Sequence, residues 1–161
     1  MTLASILSPE QVIPEMRAKN RWEAIDEMIA QLVKSGKIPQ ENASQITEAV
    51  RKRENSMSTG VGLGIGLPHA STPLISEVVG VFGRSSNGIN FDALDGQPVR
   101  FTVLFIVPQG QFQKHLQTLS NIARLLHRSD LRQSLENAVT AEDIYQIIKN
   151  SADNSVKVNL L

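Results

Sequence analysis

The chain has 161 residues, 41% of them hydrophobic and 20% charged, which is enough for one domain with its own core and excludes wholesale disorder. Sixteen Lys and Arg balance sixteen Asp and Glu, which argues against a nucleic-acid or anionic-membrane binder working through bulk charge. The absence of cysteine excludes disulfide scaffolds, thiol catalysis, cysteine-ligated zinc and iron–sulfur clusters.

No run approaches the roughly 18 apolar residues of a membrane span. Met1 to Gln11 has neither the basic start nor the apolar stretch of a signal peptide. The expectation is a soluble cytoplasmic protein without direct membrane insertion. The first clear element is an amphipathic helix over 20–35, with Trp22, Ile25, Met28, Ile29, Leu32 and Val33 on one stripe. Asn20 is placed to cap it and Gly36 to end it. A second helix is expected after Pro39, with Ile46, Ala49 and Val50 inward. Its basic end, Arg51 to Arg53, reads most simply as compensation of the helix dipole.

Strands follow. Val78 to Gly83 and Val99 to Val107 are rich in β-branched and aromatic residues, with turn chemistry at Asn87-Gly88 and Asp95-Gly96. Val99, Phe101, Val103, Phe105 and Val107 alternate with Leu104 and Ile106, which predicts a central strand covered on both faces. After Pro108 the helical period returns with Leu116, Leu119, Ile122, Ala123, Leu125 and Leu126. Thr140 to Asp143 resembles a capping box opening a last helix with Ile144, Ile147 and Ile148. Helices before and after strands predict helices layered on a mixed sheet. Residues 1–150 are expected to form the domain. The tail, 151–161, alternates Val156, Val158 and Leu160 and reads as a frayed, disordered end, with a short docking strand as the other reading.

Chemistry is sought first in the segment that runs Gly60, Gly62, Gly64, Gly66, Pro68, His69. In an extended conformation the glycines leave one face bare, a pattern that suggests close approach of a backbone, ligand or partner. The segment matches neither a Walker A loop nor the dinucleotide fingerprint, and no nucleotide cofactor is expected. Pro68 presents His69 from a stiffened stem. Taken alone, a loop histidine is more often a hydrogen-bonded structural residue than a catalyst. His115 lies near the start of the penultimate expected helix, where free N–H groups favour a bound phosphoryl group, against the plainer reading of a solvated first-turn residue. His127, near that helix's end, is assigned no function. No histidine pair has the spacing of a helical zinc motif, and no G-x-S-x-G elbow is present, so neither a metal site nor serine hydrolysis is expected.

Arg53-Glu54, Ser58-Thr59-Gly60, Gly62, Gly64, Pro68-His69, Phe91 to Asp95 and His115-Leu116 together resemble the IIA domain of the bacterial phosphoenolpyruvate-dependent phosphotransferase system. The likeness spans about residues 5 to 150, is to the mannitol/fructose class, and is greatest to its nitrogen-regulatory branch. It implies a three-layer α/β/α sandwich around a mixed sheet, in the order strand, two helices, three strands, three helices. It implies that His69 accepts a phosphoryl group from the phosphocarrier HPr, with His115 as second active-site histidine and Arg53 beside the phosphohistidine. Sugar-specific members pass the group to a IIB domain.

These roles suit the chemistry: imidazole is substantially neutral at cellular pH, a guanidinium can hold two phosphoryl oxygens, and His115 can donate a hydrogen bond. An activated phosphoramidate donor needs no magnesium. On this reading Gly62, Gly64 and Gly66 clear the way for the partner protein, and Gly64→Leu is expected to slow phosphoryl entry without unfolding the domain. Ala70 stands where the family usually has glycine, so a positive φ there would strain the loop. Leu63 replaces a residue commonly polar in nitrogen-type members. The leading expectation is a regulatory phosphocarrier acting on a target protein. A fructose-type IIA is the near alternative, and a non-phosphorylated binding module the alternative of a different class.

Overall fold

The computed structural model describes residues 1–159, with side chains through Ser151. Its elements run β1 (Val12–Ile13), α1 (Arg21–Lys34), α2 (Ala43–Ser56), β2 (Gly60–Gly62), β3 (Ile65–Gly66), β4 (His69–Thr72), β5 (Val79–Ile89), β6 (Val99–Pro108), α3 (Leu116–Leu126), α4 (Ser129–Asn137) and α5 (Ala141–Asn159), with single 3-10 turns between some of them. Asn20 caps α1 by accepting the Glu23 N–H at 2.9 Å. At the other end Gly36, at φ 75°, lets Lys37 N–H reach Leu32 O while Gly36 N–H reaches Val33 O, the paired bonds of a Schellman stop. Thr140 and Asp143 exchange side-chain-to-backbone bonds at 3.1 and 3.3 Å and start α5 as a capping box.

The sheet has strand order β1-β5-β6-β3-β2, and β4 also pairs with β6. β5 is antiparallel to β6, whereas β3 and β4 run parallel to β6 one after the other along the same edge. Pro68 separates them, yet its carbonyl still accepts the Phe105 N–H at 3.0 Å, so the ladder continues through the break. One face of the sheet packs Val81, Leu104 and Ile106 against Ile25, Met28, Leu32, Ile46 and Val50 of α1 and α2. The other packs Phe82, Phe101, Val103, Phe105 and Val107 against apolar residues of α3, α4 and α5. Each fully buried aliphatic side chain contributes roughly 1.5–3 kcal/mol, which makes this two-faced burial the main source of stability.

The layered α/β architecture agrees with the expectation, and several details differ. Between α2 and α3 the described residues form five strands rather than three, because the glycine run folds into short strands of its own. Val99 joins the α1–α2 side, away from Phe101. It pairs with Ile89 beyond a register shift in β5, and Ile89 lies in that same cluster. Asn87-Gly88 does not end a strand: Gly88, at φ 82°, sits inside that irregularity of β5 as a bulge residue. A separate helix, α4, stands between the His115 helix and the last one, so His115 precedes the third helix from the end. Helix α5 continues to Asn159, so the backbone over 151–159 is helical rather than a strand. Residues 160–161 and the side chains of Val156, Val158 and Leu160 lie outside the described ones. Among the described residues no helix is long and apolar enough to cross a membrane.

Candidate functional site around His69

His69 opens β4 and pairs in register with Phe105 of the central strand. Its Nδ1 lies 2.7 Å from the Leu67 carbonyl oxygen. A carbonyl only accepts, so Nδ1 carries the proton and Nε2 keeps its lone pair. The ring of Phe112 lies against the imidazole at 5.6 Å between centroids and 11° from parallel. His69 is 8% exposed. Burial pushes its pKa below the ordinary histidine value and the Arg53 charge adds to this, while the Leu67 bond and the Glu54 charge oppose it. The net effect favours a neutral ring with one nucleophilic nitrogen.

His115 closes the 3-10 turn Gln113–His115 that leads into α3, and its ring meets Phe105 edge-on at 6.4 Å. It is buried, not a solvated first-turn residue, and its own N–H is taken by the carbonyls of Gln111 and Phe112. Burial, then the Lys114 charge, then the amino terminus lower its pKa. Phe105 thus carries His69 beside its backbone and His115 against its ring, which brings two residues 46 positions apart to one place.

Arg53 lies in the last turn of α2, where Nη1 donates to Met57 O at 3.0 Å and to Ser56 Oγ at 3.4 Å. Of the three basic residues once read together, only Arg53 sits in that turn. Arg51 instead pairs with Asp26 at 2.7 Å, so dipole compensation does not account for it. The next residue, Glu54, is fully buried and ties the site together. Its Oε1 accepts the Thr59 N–H at 3.0 Å and faces Arg21 Nη1 at 3.4 Å, and its Oε2 accepts the Thr59 hydroxyl at 2.5 Å. The end of α2, which carries Arg53, is thereby fastened to the start of the glycine segment, which carries His69. Sequence reading gave Glu54 no role. Its signal is a carboxylate at the next helical step after Ile46 and Val50 on a buried stripe. Phe112 was also missed, and its signal is an aromatic ring set among Gln109, Gln111 and Gln113.

The glycines serve the chain itself. Leu63 and Gly64 take φ 57° and 76° between β2 and β3, the two successive positive values a type I′ hairpin turn requires. A leucine at Gly64 would be strained there whatever partner is present, so a slower phosphoryl entry in Gly64→Leu would not by itself report on partner approach. A Cβ at Gly66 would sit 3.1 Å from the Phe91 ring, and Gly62, at φ 95°, takes a backbone conformation that favours glycine. Gly62, Gly64 and Gly66 thus have reasons within the chain. Ala70 lies in β4 outside the positive-φ region, and the anticipated strain is absent. Among the described residues no three His, Asp or Glu side chains gather as metal ligands.

Residues 5–151 match the family model described as "Phosphoenolpyruvate-dependent sugar phosphotransferase system, EIIA 2". The chain is 30% identical to a nitrogen regulatory protein of Bradyrhizobium diazoefficiens over 148 residues, 92% of this chain and 95% of that one. It is 34% identical to the fructose-specific EIIABC component of Bacillus subtilis over 148 residues, 92% of this chain but 23% of that protein. Among solved structures, that of nitrogen regulatory protein IIA-Ntr from Neisseria meningitidis superposes with a TM-score of 0.81 at 26% identity, covering 91% of this chain and 98% of the other.

Proposed function

The chain belongs to the EIIA 2 family of the phosphoenolpyruvate-dependent sugar phosphotransferase system, and we propose that it works there as a phosphohistidine carrier with His69 as acceptor. The observation that carries this reading is the Nδ1 bond to Leu67, which leaves Nε2 as the one nucleophilic atom of a buried, neutral ring. Nε2 attacks the phosphorus of a phosphohistidine on an HPr-like phosphocarrier. The new N–P bond forms as the donor's N–P bond breaks, and that bond's electron pair returns to the donor imidazole. The Nδ1 proton stays, and the Leu67 carbonyl offsets the positive charge the ring acquires. No proton has to leave the site.

Arg53, half-buried at the end of α2, supplies the positive charge for the transferring oxygens, once its bonds to Ser56 and Met57 are exchanged for them. His115, held on Phe105, supplies a second hydrogen-bond donor. Met57, which follows the helix end bearing Arg53, and Leu116, which follows His115, are exposed, as are Val61 and Leu63 of the glycine hairpin and Leu94. Large apolar side chains in water on the segments that carry the proposed site suit a docking protein better than a small substrate. The phosphocarrier and the eventual acceptor are both taken to bind there, in the cytoplasm.

The likeness to nitrogen regulatory proteins favours a regulatory carrier whose phosphorylation state is read by a target protein. A fructose-type IIA that passes the group to a IIB domain is the second reading, favoured by the 34% identity to the fructose-specific component. The test is intact mass and phosphorus NMR after incubation with phosphoenolpyruvate, enzyme I and HPr. Wild type is expected to gain one acid-labile phosphate and His69→Ala none. An unphosphorylated wild type, with a control IIA labelled in the same mixture, would overturn the carrier reading in favour of a binding module.

A further inference from the structure

Between β6 and α3 the chain crosses a polar strip, Gln109 to Lys114, in which Phe112 is the one apolar side chain. The backbone of this strip is well pinned. Gln111 N–H donates to Pro108 O at 3.1 Å, and His115 N–H donates to Phe112 O at 3.0 Å. Phe112 packs at the rim of the second core cluster, and its ring is also laid on the imidazole of His69. His69 is therefore held in three ways: through its backbone by β6, at Nδ1 by the Leu67 carbonyl, and over one ring face by Phe112.

We infer that Phe112 is a positioning residue that fixes the plane of the His69 ring and keeps water from the phosphoryl group His69 carries, prolonging the life of the phosphorylated protein. The inference rests on the acceptor reading above. The competing reaction is hydrolysis. Water adds to phosphorus, the N–P bond breaks with its electron pair returning to Nε2, and dihydrogen phosphate leaves. Productive transfer breaks the same bond, so a useful shield must restrict solvent while leaving the in-line path open. A stacked ring does both, because it covers the face of the imidazole whereas Nε2 points outward in the ring plane. The charges that act on His69, Arg53 and Glu54, both come from α2, and Lys114 on the Phe112 strip acts on His115. Replacing Phe112 therefore changes hydration and ring restraint without removing a charge.

The experiment compares wild type, Phe112→Ala and Phe112→Leu, with thermal melting to report the fold. One readout is the half-life of the phosphorylated protein after removal of the donor. The other is the titration and tautomer of His69 in unphosphorylated protein by nitrogen-15 NMR. In Phe112→Ala the half-life is expected to shorten roughly threefold or more as water gains access. His69 should titrate nearer the ordinary histidine value, since burial is the largest cause of its depression. Phe112→Leu should fall between, because it keeps apolar cover without a stacked ring. A folded Phe112→Ala with wild-type half-life and wild-type titration overturns the inference. Should that variant not fold, Phe112→Leu decides alone: a shortened half-life with a raised titration supports the role, and wild-type values overturn it. If wild type itself takes no phosphate, the acceptor reading has failed instead, and the His69 titration still decides whether Phe112 positions the ring.

Discussion

At His69 the proposed chemistry turns on which nitrogen holds the proton and how much water reaches the ring. The Leu67 carbonyl answers the first, and burial beside Phe112 and Phe105 answers the second. The same burial has a cost that shows in acid. Both His69 and His115 have folded-state pKa values below the ordinary one, with burial the leading cause in each. As pH falls below about 6.5 the unfolded chain therefore takes up protons before the folded one, and stability drops through that window while being fully retained above it. Urea midpoints should decline from about pH 6.5 toward 5.5, and His69→Gln should flatten part of that slope. An unchanged slope in the variant would count against a depressed His69. His69, Arg53 and His115 were singled out in the sequence as the proposed site because their residue types and order carry the family pattern. Glu54 and Phe112 were not, since each acts through a neighbour that only folding brings: Thr59 and Arg21 for one, the His69 ring for the other.

At the scale of elements, helices were easier to read than strands. The stripe of α1, its Asn20 cap and its Gly36 stop are contacts within one turn of the chain, so the local pattern suffices. Helix α4 shows only Leu131 and Leu135 as buried apolar residues, too short a period to stand out. The glycine run looked like an open face, yet it is a hairpin whose glycines are set by close neighbours and by positive φ. Two substitutions separate these demands. A Cβ at Gly60 would lie 2.7 Å from the Ala93 Cβ and 2.9 Å from its Cα. Gly60→Ala should therefore cost about 1–3 kcal/mol through overpacking. Gly36, at φ 75° with nothing within 4 Å, is constrained by conformation alone. Gly36→Ala should cost about 1 kcal/mol, and urea denaturation of the pair reads the difference. Equal losses would mean that the Gly60–Ala93 contact gives way easily.

For the whole molecule, the sheet separates two cores, and the site lies where the β3–β4 edge of β6 meets the end of α2 and the strip before α3. The domain is proposed to occupy residues 1–150. Among the described residues, the buried anchors of α5 are Ile144 and Ile148, and both precede that limit. A chain ending at Ser151 should keep its urea stability to within about 1 kcal/mol of the full chain. A loss of several kcal/mol would move the domain boundary into the rest of α5. The sequence by itself determined the helical stripes and the doubly buried central strand, and through the family resemblance it named His69, His115 and Arg53 as the proposed site. The stripes and the strand follow from periodicity and residue type, which are local, and the proposed site follows from the order of the motifs that carry the resemblance. Only the tertiary structure decided that Nε2 is the free nitrogen of His69, that Glu54 fastens Arg53's helix to the start of the glycine segment, that Phe112 stacks on the ring, and that the glycines answer to Ala93, Phe91 and a tight turn. Most of these are contacts between separate segments of the chain, and their geometry depends on the twist and packing of the whole sheet rather than on any run of residues.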